Sequence, residues 1–561
     1  MQTVSAAPAQ QRLIVLSNVG FYLVAAVLLF GGLGATGLWN SEDRWAEVAR
    51  EMHMSGNYFL PTLNGALYFD KPLLSYWLVL IGSALTGAIN EWSLRLPSAL
   101  SGLVVLWSTV GLGRLLWSDA VGRLAGWLLL ASYGLLMWAR LGEADMENCA
   151  AATLAVYWYW RHRERTDFFN YWVFYLILFI GAQTKGLAAL VVPLLAVLPD
   201  LWREGRYRRH VNFAHGLAAA AGFLVYLLPF LLSRQGSGGS SEDAGLLMVF
   251  RENVVRYFAP FDHDDPFYTY LWALPLLFMP WVPLLLAALA QALRTRALWP
   301  AATRWLISAF GLIFLFFSIS GSRRIYYILP LLPYCALLTA IFFSGNDKPR
   351  WKRIALAAQA LVLGAMVAFN LMLPLLREPI AGSLGGALPE ALNLNLCAAI
   401  GAAALLWWLV AIRLGRGDRF SSILPALIGV ALLVLGGFFL LQREMFDAAR
   451  TKWKFAAELR SQAQSLDAAQ IAVFRGRPSA GLLFYADLPV PVSVPADAEA
   501  LRRFVHTPPY PKLVVSGSEY ADEMPQALRD LPPTLRERRN PWEKAKDNKW
   551  MAWRLEQAPA P

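Results

Sequence analysis

Runs of apolar residues long enough to cross a lipid bilayer recur along most of this chain, and they constrain its fold more than any other feature. A span needs about 17 to 25 predominantly apolar residues. Such runs lie near 13–34, 96–113, 124–139, 148–160, 168–184, 186–203, 216–233, 266–293, 305–322, 325–346, 354–376, 391–412 and 420–441. They make thirteen candidates, of which 148–160 is short and 186–203 contains Pro193, Pro199 and Asp200. Hydrophobic residues fill 57% of the 561 positions and charged ones only 16%, which excludes an ordinary soluble globular protein. The first run is too long for a signal-peptide core and lacks a small-residue cleavage site, so it reads as a retained first span.

Short loops rich in Lys and Arg stay on the cytoplasmic side. Here they recur at every second connection: Arg114/Arg123, Arg161/Arg163/Arg165, Arg203/Arg206/Arg208/Arg209, Arg294/Arg296/Arg304, Lys348/Arg350/Lys352/Arg353 and Arg413/Arg416/Arg419. The intervening connections then face outward, including 142–147 with Glu143, Asp145 and Glu147, the turn at Lys185, the 234–265 loop and the Arg323/Arg324 turn. A pI near 9.5 therefore follows in part from topology and does not argue for a nucleic-acid partner. Cys149, Cys335 and Cys397 sit at or within apolar runs with no metal or redox spacing, as packing residues do.

The stretch 71–89 is ambiguous in this count. If it spans, residues 39–71 move to the cytoplasmic side. If it dips into the outer interface, those residues join the other acidic outer loops, and the expensive membrane-level charges Glu42, Asp43, Asp70, Lys71 and Asp145 can converge. The second arrangement is the expectation adopted here. Residues 1–441 then form the membrane part, with 39–95 as a first outer loop carrying surface helices. Residues 442–561 are richer in charge and proline and contain short strand-like segments such as AQIAVFRG and PKLVVSGS, so a small soluble α/β domain is expected outside the membrane.

The charged stretch SEDRWAEVAREM at 41–52 predicts an amphipathic helix lying flat on the outer surface. Trp45, Val48, Ala49 and Met52 share one face, and Asp43, Arg44, Glu47, Arg50 and Glu51 the other. Ser41 suits the N-cap, and Glu42 and Asp43 suit the positive end of the helix dipole. Further on, Asp70 and Lys71 stand side by side before the apolar dip, where a lysine can snorkel or meet a lipid phosphate.

Taken in order, EDRWAEVAREM, GNYFLPTLNGALYFDKPLLSYW, TKG at 184–186 and ENVVRYFAPFDHDDPFYTYL at 252–271 resemble the GT-C glycosyltransferases. Within these they resemble the aminoarabinose transferase (ArnT) group, a protein mannosyltransferase-like family, over roughly residues 35 to 335. The resemblance implies about 13 transmembrane helices, surface helices in the first periplasmic loop and an external C-terminal domain. It also implies a bacterial inner-membrane enzyme that moves a sugar from a polyprenyl-phosphate donor to lipid A or another glycan or protein acceptor, with no nucleotide cofactor. By this likeness Arg44, Lys71, Lys185, Arg323 and Tyr327 would bind the donor phosphate, and Glu42, Asp43 and Asp145 are the candidate catalytic carboxylates. Asp70 and His263 correspond to a zinc pair. The sequence departs from the group's Asp-Glu-x-Arg-Tyr pattern, because Ser41 stands where the leading aspartate is expected and Trp45 replaces the tyrosine. A protein O-glycosyltransferase of the same class and a lipid or sugar flippase are the rival readings. The flippase reading predicts internal repeats and interrupted helices at mid-membrane, and no repeat is evident.

Overall fold

A computed structural model describes residues 8–39, 41–203, 205–236, 245, 247, 250–259, 265–344, 350–376, 393–416, 423–441, 451–475, 478–538 and 549–559. The first half of the chain contributes helices α1 (Pro8–Phe30), α2 (Glu42–Ser55), α3 (Leu74–Thr86), α4 (Glu91–Leu116), α5 (Asp119–Leu130), α6 (Tyr133–Trp138), α7 (Asp145–His162), α8 (Phe168–Ala182), α9 (Ala188–Arg203), α10 (Tyr207–His210) and α11 (Phe213–Gly236). Among the described residues seven helices are long and apolar enough to cross a membrane, or eight if a bent pair counts as one span. Helix α3 has 13 residues, about 20 Å at 1.5 Å per residue, too short for a hydrocarbon layer of about 30 Å.

Two of the expected spans are broken, and the breaks face each other. The run 124–139 divides into α5 and α6 at Ala131 and Ser132, and the run 266–293 divides into Thr269–Leu277 and Val282–Arg294, bent by 118°. Backbone groups freed at membrane depth need protein partners. The Trp281 indole donates to the Ala131 carbonyl at 2.8 Å, the Tyr133 amide to the Met279 carbonyl at 2.9 Å, and the Gln359 amide to the Pro280 carbonyl at 3.0 Å. Trp281 is fully buried, so one large side chain fills the gap and satisfies the carbonyl together. All three cysteines are buried.

Local chemistry fixes the first loop. Helix α4 starts with a capping box in which Asn90 Oδ1 accepts from the Ser93 amide and Ser93 Oγ accepts from the Asn90 amide, both at 2.9 Å. Helix α2 ends at Gly56, whose φ of 67° is the left-handed geometry that favours glycine. Between α2 and α3 a short antiparallel pair, β1 (Thr62–Leu63) and β2 (Ala66–Leu67), is tied to α2 by Glu51. This carboxylate accepts from Thr62 Oγ1 and the Asn64 amide at 2.6 Å, and from the Gly65 amide at 3.1 Å.

Residues 451–559 build a four-stranded sheet from β3 (Ile471–Phe474), β4 (Lys512–Gly517), β5 (Leu535–Arg536) and β6 (Trp550–Leu555), in the order β3-β4-β6-β5. β3 runs parallel to β4, and the other pairs are antiparallel. Alternation along the strands feeds two apolar clusters. Val473, Leu513 and Val515 join Phe455 and Leu459 of the helix Thr451–Ala463, while Phe474, Val514 and Trp553 join Leu501 and Val505 of the helix Ala498–His506.

This C-terminal part changes the reading of α2. Its polar face was expected in water, yet Glu47, Arg50 and Glu51 are all buried. Arg50 grips both Glu47 oxygens at 2.7 Å, donates to the Leu488 carbonyl at 2.9 Å and pairs with Asp487 at 3.3 Å. Asn64 exchanges two hydrogen bonds with the Val492 backbone, and the Tyr485 hydroxyl donates to Glu91 at 2.6 Å. Helix α2 is therefore enclosed on both faces. Arg50→Ala leaves Glu47 buried without its cation, so a loss of about 3–5 kcal/mol is expected; an unchanged thermal unfolding midpoint of the detergent-solubilised protein would contradict this enclosure.

Candidate active site

The first acid of the 41–52 motif is a structural group. Glu42 is fully buried and forms a two-pronged pair with Arg95 of α4, at 2.7 and 2.8 Å. It also accepts from the Gly142 amide at 2.7 Å and the Trp39 amide at 2.8 Å. The remaining Arg95 donors go to the carbonyls of Leu33, Thr36 and Gly37 at 2.8 to 2.9 Å. Burial opposes ionisation of Glu42, but Arg95 and the two amides outweigh it and hold the carboxyl below its ordinary value. Asp43 points elsewhere, accepting from the Gly481 amide at 3.1 Å. Neither acid, both expected among the catalytic carboxylates, is among the residues that line the cavity described next.

That cavity has a volume of about 420 Å³ and lies between the start of α2, the 142–148 turn, the 185–191 segment, residues 252–258 and the 316–330 region. Three sequence-predicted cations reach it: Arg44, Lys71 and Lys185, together with Asp145 and Tyr327. Arg44 donates to the Tyr68 hydroxyl at 3.1 Å, and Asp70 bridges Arg44 at 3.6 Å and Lys71 at 3.2 Å. Burial lowers the Lys71 ammonium below its usual value, and the nearby Lys185 charge adds to this against the pull of Asp70. An incoming phosphate would relieve that repulsion. Lys185 is ion-paired with Asp145, and its ammonium lies 4.8 Å from the Tyr326 ring centre and 5.7 Å from that of Tyr327. Although burial disfavours its charge, Asp145 raises the lysine above its usual range.

Part of the remaining wall is apolar, with Trp45, Leu187, Phe258 and Phe317 in it. The TKG turn is locked by two asparagines. Asn148 donates to the Gly186 carbonyl at 3.0 Å, and Asn253 accepts from the Leu187 amide at 2.8 Å. Gly186 has a φ of 147°, and a Cβ there would sit 2.1 Å from Asn253 Oδ1, so only glycine fits.

Arg323 does not line the cavity; it donates to the carbonyls of Asp265 at 2.7 Å and Ser318 at 3.3 Å, tying its own turn to the start of the 265–269 segment. His263 lies outside the described residues. Asp70 is engaged by two cations, and among the described residues no group of three His, Cys, Asp or Glu could hold a metal ion. No step below uses a metal. Residues the sequence reading missed are Glu143, Tyr326 and the Glu252–Arg256 pair, all of which line the cavity. Glu143 was visible as one of three acids in its turn. Ser41, expected as an N-cap, makes no side-chain cap and instead donates from Oγ to Glu143 at 2.6 Å.

The profile of the family described as dolichyl-phosphate-mannose-protein mannosyltransferase matches residues 70–232. The crystal structure of ArnT from Cupriavidus metallidurans bound to undecaprenyl phosphate superposes with a TM-score of 0.74 at 20% identity, over 97% of this chain and 99% of that one. The chain has the fold of that ArnT structure. This ArnT-like chain is also 31% identical over 350 residues to the undecaprenyl phosphate-alpha-4-amino-4-deoxy-L-arabinose arabinosyl transferase 1 of Pseudomonas fluorescens, covering 60% of the chain and 57% of that relative. It is 34% identical over 334 residues to the Sodalis glossinidius protein of the same description, covering 58% and 57%. The matches thus span little more than half the length of these relatives.

Glu42→Ala is expected to cost about 3–5 kcal/mol, because Arg95 is left buried without its anion. Since the Glu42 carboxyl titrates below its unfolded value of 4.5, its stabilisation is complete above that pH and is lost as the pH falls through the lower folded value. Wild type and variant should converge in unfolding midpoint only on acidification; convergence at neutral pH would remove the structural role.

Proposed function

We propose that this chain transfers a sugar from a polyprenyl-phosphate donor to lipid A or another lipopolysaccharide or glycan component at the periplasmic face of the bacterial inner membrane. The observation that carries this reading is the convergence of Arg44, Lys71 and Lys185 on one partly apolar cavity beside the first loop. Three cations at the end of a helical bundle suit an anionic lipid headgroup, and the names of the relatives supply its class. A 4-amino-4-deoxy-arabinose on undecaprenyl phosphate is the donor to test first. On this reading the chain has about thirteen spans, and residues 442–561 are a periplasmic α/β domain.

The chemistry needs the bond between the sugar's anomeric carbon and the donor phosphate to break as the acceptor oxygen attacks. Charge grows on the departing phosphate oxygen. Lys71 and Arg44 meet that charge, and donors already in place are worth most where charge develops. Asp145 keeps Lys185 charged and fixed over the two tyrosine rings, which sets the floor on which the sugar rests. The apolar wall receives the first units of the prenyl chain.

Lys71→Ala and Arg44→Ala are each expected to lower transfer by about 10²–10³-fold, the range for removing one donor to a developing oxyanion. Glu499→Ala, on the exposed side of the C-terminal helix, should leave it unchanged. The assay is purified protein with undecaprenyl-phosphate aminoarabinose and lipid A, with the product read by mass. Full activity in the Lys71 variant would overturn the phosphate assignment, and lipid movement without a mass change would favour the flippase reading.

A further inference from the structure

A second cavity, of about 860 Å³, follows the break between Thr269–Leu277 and Val282–Arg294. It is a groove between Val282–Arg294 and the helix Arg350–Met372. Val282, Leu286 and Ala290 recur at helical spacing along one wall, and Ile354, Ala358 and Val362 along the other. Ala290 and Ala358 bring only a methyl group to the seam, which leaves width between the helices. Beside the break, the Gln359 amide donates to the Pro280 carbonyl at 3.0 Å and ties the two walls together.

Leu286 and Ile354 are more than half exposed, so the groove opens on the lipid side of the bundle. The stripe from Val282 to Arg294 is about 18 Å long at 1.5 Å per residue, close to one leaflet of a hydrocarbon layer of about 30 Å. One end of it is polar. Gln291, Arg294 and Trp351 line that end, and Arg294 is the only charged residue of the whole lining. Its guanidinium makes no hydrogen bond or ion pair among the described residues. The Trp351 ring lies 4.0 Å from that of Phe342, centre to centre, and an indole so placed suits the boundary between membrane and water. With no acid in the lining, a headgroup phosphate meets a cation and N–H donors, whereas a headgroup ammonium faces Arg294 with no carboxylate to offset it. Arg294 and Arg350 both border connections that the Lys/Arg alternation assigns to the cytoplasmic side.

We propose that this groove binds one anionic glycerophospholipid of the cytoplasmic leaflet, with an acyl chain along the alanine-bearing seam and the headgroup phosphate at Arg294 and Trp351. Charge complementarity selects the class, as it does for basic pockets between membrane helices on the cytoplasmic side. The acyl chain fills the space that the break opens, and so braces the bent pair against Arg350–Met372. The cations assigned to the sugar donor, Arg44, Lys71 and Lys185, line the other cavity. This groove is therefore a separate lipid site, and it does not depend on the transferase reading.

The test adds phosphatidylglycerol or phosphatidylethanolamine, each with the same photoreactive acyl chain, to the purified full-length chain in detergent and reads the labelled peptides by mass. Labelling of 275–294 and 351–362 by phosphatidylglycerol should exceed that by phosphatidylethanolamine about fivefold, the effect of one basic side chain on an anionic lipid. Arg294→Gln should make the two yields in these segments about equal, and Arg294→Lys should keep the preference. Ala358→Phe should lower labelling by both lipids, because the ring fills the seam. Added undecaprenyl phosphate should leave the labelling in place. Equal labelling of these segments by both lipids in the wild type overturns the proposal, as does an Arg294→Gln chain with the wild-type preference. Loss of the label on addition of undecaprenyl phosphate assigns the groove to a prenyl chain and overturns it as well. If Ala358→Phe does not fold, the two Arg294 variants decide, since that side chain is exposed and holds no other element.

Discussion

The buried pair between Glu42 and Arg95 is the contact on which the rest of the site depends. A carboxylate and a guanidinium removed from water cost several kcal/mol each unless every lone pair and N–H finds a partner. Here the amides of Trp39 and Gly142 and the carbonyls of Leu33, Thr36 and Gly37 complete the set. One knot thus joins the segment after α1, the start of α2, the first turns of α4 and the turn before α7. Arg44 lies two residues from it on one side and Glu143 one residue from it on another, so the cavity inherits its geometry from a group that does not enter it.

Charge at the membrane surface is divided between two duties. Groups engaged by one another, such as Glu47 with Arg50 or Arg323 with the Asp265 carbonyl, hold elements together. Groups balanced less evenly gather at the cavity, where Asp70 is shared by two cations and Lys71 and Lys185 repel one another. Such a site is poised for an anion of a particular size. Binding energy held in uncompensated cations is available to the ligand, whereas energy held in closed pairs is not.

Much of this was legible in the sequence. Hydropathy and the Lys/Arg alternation gave a helical membrane chain, and Arg44, Lys71, Asp145, Lys185 and Tyr327 do meet. Three things were hidden. Helix periodicity separated the faces of α2 correctly, but it could not reveal that residues some 440 positions away cover the polar one. Apolar runs near 124–139 and 266–293 hide their breaks because the residues at a break are as apolar as those around it; the partner that makes the break affordable, Trp281, is far off in sequence. Finally, the neighbouring acids Glu42 and Asp43 look alike on paper, and only the third dimension separates a strut from a surface contact. The departure at Ser41 was visible, and its meaning required seeing Glu143 opposite.

The strand order of the C-terminal sheet bears on what holds α2 in place. β6, the last strand to be synthesised, lies inside the sheet between β4 and β5. The segment 481–492 that encloses α2 leans on that sheet, because Leu482, Leu483 and Val492 share a cluster with Val473, Val515 and Ala552. A change that unseats β6 would therefore reach α2 through the 481–492 segment, although no residue of that strand lines the cavity.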